Sequence, residues 1–303
     1  MKFKNNKVFI VIFLNLCYYI RIQTVQPTKN PLAVRRRIMK KIFALLAACA
    51  LFASVAVAED AASIANKSVN ITPPEFTMTN VSFQFYDKNG KLERDLVLDQ
   101  YGRNRADLVE TVFAFTADAD IKNTRLLQAE KKGKQDDKWI FLPSVGTARR
   151  VSSAERQKSF VGSEFAYDDM SLRDAALDTH TMINENVSKK VAATTYNCWQ
   201  IESVPIKKAD SGYSKRVQFI DKATYLPVFT EFYDRKGALL KTCAIEEIRT
   251  GTGVTGKTYP IRWKVRMENK QNGRTTLVTL RKQTIDKQVP DKTFTQGWLV
   301  SGK

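Results

Sequence analysis

Residues 259–268 read Tyr-Pro-Ile-Arg-Trp-Lys-Val-Arg-Met-Glu. Tyr259, Ile261, Trp263, Val265 and Met267 alternate with Pro260, Arg262, Lys264, Arg266 and Glu268, so one side is apolar and the other wet. A period of two marks a half-buried β-strand, because successive side chains point to opposite faces of a sheet. This stretch also decides how its upstream neighbour is read. Gly251-Thr-Gly-Val-Thr-Gly256-Lys257-Thr258 matches the phosphate-loop pattern letter for letter. A phosphate loop must run into a helix whose first N–H groups face the phosphate. Pro260 and the strict alternation specify a strand instead, so the glycines are read as a strand connection and no nucleotide is expected.

Working outward, the same periodicity recurs. Val81, Phe83 and Phe85 alternate with Ser82, Gln84 and Tyr86, and Asn89-Gly90 supplies a hairpin turn before Leu92, Leu96 and Leu98. Val109, Thr111, Phe113 and Phe115 form another strand, and Trp139–Leu142 a short one stopped by Pro143. Residues 196–249 read as a four-strand meander over Tyr196–Pro205, Lys215–Asp221, Pro227–Tyr233 and Ala238–Ile248. A short helix is expected around Ala61–Lys67. Alternation fails from Ser152 to Lys190, and Tyr167–Asn186 is read as a helix capped by Asp168 or Ser171. Such a helical insert must bury its apolar stripe, and the concave side of a curved sheet is the natural place. The fold class is therefore mainly β with helices, a single curved antiparallel sheet.

The first 58 residues are read as targeting sequence. Met39 begins a second start-like signature: Lys40 and Lys41 precede the apolar run Ile42–Val57, which ends in Ala56-Val57-Ala58, so cleavage is expected after Ala58. Residues 1–38 are an upstream extension, with a membrane anchor as the rival reading. The alternative site Leu46-Ala47-Ala48-Cys49 has the form of a lipoprotein signal, which would lipidate Cys49. Residues 59–303 are then the mature domain. The whole chain carries +18, yet residues 1–58 hold ten basic and no acidic residues; 39 basic and 31 acidic residues remain beyond them. The basic excess is thus largely targeting sequence, and nucleic acid is not an expected partner.

No catalytic constellation emerges. His180 is the single histidine, it sits in a polar run and is read as a surface residue, and a multi-histidine metal site is excluded. There is no Gly-x-Ser-x-Gly elbow. Asp168-Asp169 are read as cap and dipole partners of the expected helix rather than as acid–base groups. Neither cofactor nor metal is expected. Cys198 and Cys243, the two cysteines beyond the cleavage site, form a candidate disulfide, since an exported chain meets an oxidising compartment.

Large apolar side chains concentrate in the middle of the chain. Trp139-Ile-Phe-Leu-Pro143, Arg149-Arg150 and Phe160-Val-Gly162-Ser163-Glu-Phe165-Ala-Tyr167-Asp168-Asp169-Met170 occur in an order and spacing that closely resembles the signature of the outer-membrane lipoprotein-sorting proteins, relatives of the LolA and LolB carriers. Cys198-Trp199-Gln-Ile-Glu202, Phe219-Ile-Asp221, Tyr225-Leu-Pro227 and Phe232-Tyr-Asp234-Arg-Lys-Gly237 extend the likeness over most of residues 75–300. The resemblance implies an unclosed β-barrel with a helical lid over a hydrophobic cavity. It also implies a periplasmic carrier of lipid or lipoprotein acyl chains, with inner-membrane transporters of the RND type as partners. No motif here matches the functional arginine of LolA. The expected lining and lid residues are Phe113, Phe115, Trp139, Phe141, Phe165, Tyr167, Met170, Trp199 and Trp263. The rival reading is a non-carrier envelope adaptor that docks a transporter, its interior filled by its own side chains.

Overall fold

The structure, a computed structural model, describes residues 59–105, 107–131, 136–152 and 154–303. The expected signal peptide and Cys49 lie outside them. Helix α1 (Ala61–Val69) opens the described part, with the Asp60 carboxylate accepting from the Ser63 N–H as its N-cap. Then come β1 (Phe76–Tyr86), β2 (Leu92–Arg105), β3 (Leu108–Phe115), β4 (Arg125–Lys131), β5 (Asp137–Phe141) and β6 (Ala148–Arg150). After an irregular stretch the chain resumes with β7 (Asp178–Val191), β8 (Thr194–Pro205), β9 (Lys215–Asp221), β10 (Pro227–Tyr233), β11 (Leu239–Thr252), β12 (Thr258–Asn269) and β13 (Thr275–Ile285), and closes with α2 (Gln296–Ser301). The strands form one antiparallel sheet in the order β6-β5-β4-β3-β2-β1-β13-β12-β11-β10-β9-β8-β7. β6 and β7 are its free edges, so the sheet is unclosed. The sheet is nonetheless strongly curved: Cα atoms of β7 come within 8 Å of β10 and β11, whereas three flat strand spacings would put β7 about 14 Å from β10.

The Gly251–Thr258 motif is the β11–β12 hairpin, closed by Gly253 N–H to the Lys257 carbonyl and Gly256 N–H to the Gly253 carbonyl. Gly256 has φ +82°, a left-handed conformation that suits glycine. No helix follows, and the connection is the one the alternation of residues 259–268 requires.

The expected helix over Tyr167–Asn186 does not form. Tyr167–Met170 and Ala175–Leu177 are single 3₁₀ turns, and residues 178–191 are the edge strand β7. Two bulges, between Met182 and Asn184 and between Asn184 and Val187, shift the phase of alternation, and residues 183–186 at the middle of the strand are all exposed. A period-two signal is therefore absent although β8 pairs along the whole strand. The Asp168-Asp169 pair consequently caps no α-helix; the Asp169 carboxylate accepts from the Ala166 N–H at 2.7 Å and is mostly used elsewhere.

The two cysteines are free thiols. Cys198 on β8 and Cys243 on β11 are separated by the two intervening strands β9 and β10. They also belong to different clusters: Cys198 packs with Val217 and Phe219, Cys243 against Phe232 and Met267. Burial pushes the Cys198 thiol up to about 11 and the Cys243 thiol up to about 12.

Candidate functional site

Directly paired residues share a face, so register sorts the side chains. Val278, Phe83 and Leu96 form one row across β13, β1 and β2, while Phe113, Leu126 and Ile140 form another across β3, β4 and β5. These residues, with Phe232 and Met267, make the main core on the concave face. On the opposite face Met78, Tyr101, Val112, Leu127 and Trp139 form a row from β1 to β5. That row is covered by the C-terminal segment through Val289, Phe294, Trp298 and Leu299. Arg125 pins the cover by stacking on Phe141 and Trp298 and donating to the Leu299 carbonyl at 2.7 Å.

The concave face is roofed by two pieces that are not strands. α1 packs Ala61 and Ile64 on Ile201 and Ile220. Residues 154–177 form a strap of turns across the other half. Phe160, at its centre and 1% exposed, meets Phe83, Phe113, Phe115 and Tyr167 with ring centroids 5.4–6.0 Å apart. Phe165 meets Phe83 edge-on at 6.3 Å. The turn that places these rings has Val161 at φ +49° and Gly162 at φ +87°, followed by the Ser159–Ala166 bridge and a Phe160 N–H to Phe165 carbonyl bond of 2.7 Å. Phe160 and Phe165 therefore point down together from a closed loop.

Polar contacts fasten the strap. Asp169 accepts from Lys241 Nζ at 2.6 Å and from the Tyr213 hydroxyl at 2.8 Å, and Lys241 also donates to the Glu164 carbonyl. Both charged side chains of this pair are nearly buried. On the far side the buried Lys138 ammonium donates to Gln128 and to the Ser171 hydroxyl, and Gln128 donates to the Met170 carbonyl at 3.1 Å. Glu130 accepts from Gln128 at 2.6 Å and lies 3.4 Å from the Leu172 N–H.

Burial, reinforced by the nearby Asp136 carboxylate, pushes the Glu130 carboxyl up to about 7. A raised carboxyl pKa means the folded protein holds this proton more tightly than the unfolded chain, so the stabilisation is complete below the ordinary pKa of 4.5 and lost as pH rises through 7. Glu130→Gln mimics the protonated form. Chemical denaturation should find it equal to the unchanged protein near pH 4 and more stable by about 3 kcal/mol at pH 8; a difference that does not vary with pH would refute the assignment.

Between α1, the strap and strands β7 and β9–β12 lies a cavity of about 140 Å³. Phe165, Phe232 and Met267 give it an apolar part, and Asp168, Asp169, Arg173, Asp178, His180 and Arg216 a charged part. Asp178 is shared by Arg173 at 2.9 Å and by Arg216. Burial raises the Asp168 carboxyl pKa and lowers that of the Arg216 guanidinium. His180 is half-buried rather than a surface residue: Nε2–H donates to the Ala175 carbonyl at 2.9 Å, and Nδ1 lies 2.9 Å from the Ser203 hydroxyl. No group of three metal-ligating side chains occurs among the described residues.

The expected lining residues divide by face. Phe113, Phe115, Phe165, Tyr167 and Met170 share the concave core, and Phe165 also borders the cavity. Trp139 and Phe141 lie on the other face beneath the C-terminal segment, because the buried neighbour Ile140 occupies the concave side in the alternation. Trp199 packs under α1, and Trp263 sits with Tyr259, Ile261 and Leu280, stacked under Arg249. Sequence reasoning missed Arg173, Arg216 and Ser68 at the cavity, since isolated polar residues carry no periodic signal.

An open, curved antiparallel sheet roofed on its concave side defines the class: this is the fold of the LolA-like lipoprotein-sorting proteins. Three solved structures share it. A domain assigned as an outer membrane lipoprotein-sorting protein from Vibrio parahaemolyticus is 24% identical, with TM-score 0.69 over 79% of this chain and 98% of that one. A DUF1329 family protein from Desulfovibrio piger is 20% identical, with TM-score 0.69 over 79% and 97%. A LolA superfamily protein from Nitrosomonas europaea is 19% identical, with TM-score 0.58 over 80% and 100%. A search of curated proteins gave no match. A family model described as "uncharacterized protein" matches residues 107–301, and the chain belongs to that family.

Proposed function

We propose that the protein is a periplasmic carrier that takes up acyl chains of lipids or lipoproteins on the concave face and passes them toward the outer membrane. The observation that carries this reading is the apolar concave face, continuous from Ile140 on β5 to Met267 on β12, roofed by the strap and α1 instead of by further strands. The proposed lining is Phe113, Phe115, Phe165, Tyr167 and Met170. Residues 59–303 form the mature carrier, delivered by the signal peptide ending at Ala58, with a lipid anchor on Cys49 as the alternative. An RND-type inner-membrane transporter is the proposed donor. No reaction is needed, so the protein acts without catalysis.

The cavity as it stands is smaller than the 300–1,000 Å³ typical of ligand sites. An acyl chain must therefore lift Phe160 from the sheet. Each buried methylene contributes about 0.8 kcal/mol, so ten give roughly 8 kcal/mol, more than the about 3 kcal/mol of burial a single Phe forfeits when it leaves. Exchange of strap for hydrocarbon is thus downhill for a long chain and uphill for a short one.

One observation favours a second reading. Phe160 fills the centre of the concave core with the protein's own side chain, as an envelope adaptor without cargo would require. Native mass spectrometry of the protein purified from its envelope separates the two. A carrier shows a lipid adduct that dissociates on unfolding; a lipid-free protein that also fails to take up a fluorescent fatty acid is the adaptor.

A further inference from the structure

Where the strap meets β4 and β5, residues 170–172 are held by side chains of the sheet and not by a backbone ladder. Gln128 on β4 donates to the Met170 carbonyl at 3.1 Å, and Lys138 on β5 donates to the Ser171 hydroxyl at 3.1 Å. Glu130 on β4 lies 3.4 Å from the Leu172 N–H. The three side chains are joined beneath the strap: Gln128 accepts from the Lys138 ammonium and donates to the Glu130 carboxyl at 2.6 Å. Gln128 and Lys138 are direct partners across the two strands, and both are fully buried.

Charged groups from each neighbouring element converge on this cluster. Asp136, just before β5, lies 3.5 Å from the Lys138 ammonium. The strap brings Asp168 and Arg156, 3.8 Å apart, and Arg156 also donates to the Asp136 carbonyl. β3 adds no charge, since Val109 and Thr111 stand opposite Glu130 and Gln128. Two cations thus face two carboxylates before Glu130 is counted. With Glu130 protonated the cluster is neutral; ionised, it holds a third carboxylate without a cation of its own. Burial sharpens the conflict, for it also raises the Asp168 carboxyl pKa and lowers that of the Lys138 ammonium. Lifting residues 170–172 lets water reach the Glu130 carboxyl and removes the reason to keep its proton.

We infer that this cluster is a proton-operated latch on the strap, in which protonated Glu130 holds residues 170–172 over the concave face and its ionisation frees them for cargo to enter. The inference rests on the carrier reading and adds its regulation. The closed strap binds the proton more tightly than the open one, so closure is strongest at acid pH and weakens as pH rises through about 7. Apparent affinity for cargo scales with the fraction of molecules whose strap is open. Uptake therefore increases with pH.

Hydrogen exchange and ligand titration of the unchanged protein and of Glu130→Gln, which mimics the protonated group, test this. The ratio of their exchange rates at one pH cancels the intrinsic pH dependence of amide exchange. Over residues 156–172 the unchanged protein is expected to exchange no more than about fivefold faster at pH 5 and at least about thirtyfold faster at pH 8. Affinity for the uncharged fluorophore N-phenyl-1-naphthylamine should rise at least about tenfold between these pH values, and no more than about threefold in Glu130→Gln. Asp136→Asn leaves Lys138 to pair with Glu130 and should move both changes to lower pH. Equal exchange in the two proteins at pH 8 would overturn the latch, and the carrier reading stands if the fluorophore binds. A strap that loosens while affinity stays level would show that the cluster does not govern entry, and the gate is overturned. Absence of binding at either pH removes the carrier reading, and the gate falls with it whatever the exchange ratio.

Discussion

Phe160→Ala is expected to lower folding stability by about 3–5 kcal/mol while increasing uptake of a fluorescent fatty acid. Phe160 is 1% exposed and its ring touches four aromatic neighbours contributed by β1, β3 and the strap. Truncation removes the transfer free energy of the ring and leaves a hole that the stiff sheet beneath cannot close, which places the cost at the upper end for core substitutions. The opposite signs of the two effects make the prediction specific. A residue that belongs only to the core loses stability and gains nothing, whereas a plug that shares space with cargo loses stability and yields room. Denaturant unfolding measures the first and fluorescence titration the second. A stability loss without a gain in uptake would favour the adaptor reading.

Asp169→Ala is expected to cost a similar amount, about 3–5 kcal/mol, for a different reason. The Asp169 and Lys241 side chains are 5% and 6% exposed, and the carboxylate also satisfies Tyr213 and the Ala166 N–H. Removing it strands an ammonium and a phenol inside the protein, and a buried charge without its partner is far more costly than the pair is favourable. The double variant Asp169→Leu with Lys241→Met removes both charges and should recover more than half of the loss in thermal or denaturant unfolding. A single variant as stable as the unchanged protein would show that this pair does not fasten the strap. Since the pair ties the strap to β11, Asp169→Ala should also raise hydrogen exchange across residues 156–171 ahead of the sheet.

The extent to which the chain announces its own structure follows from what each signal reports. Alternation in residues 259–268 and 81–86 is a direct image of a sheet with a wet and a dry side, and it settles the strand assignment, the hairpin at Gly253–Lys257 and the rejection of a phosphate loop. Resemblance of residues 139–170 to lipoprotein-sorting proteins points to the open curved sheet that the structure has. β7 escaped because its bulges break the phase and its free edge buries little, so local pattern and final state disagree. The strap escaped because it has no period: Phe160 and Phe165 are brought over the sheet by one closed loop, and their partners lie on strands far away in sequence.

The sequence by itself thus determined the antiparallel sheet, most of its strands and the family likeness, since these depend on the order of polar and apolar residues along a few ångströms of chain. Only the tertiary structure decided which face each aromatic serves, that the two thiols stay apart, and that Ser68, Arg173, Asp178 and Arg216 meet at one cavity. Those outcomes depend on strand order and curvature. Both arise from pairing between distant segments, and no single stretch of the chain encodes it.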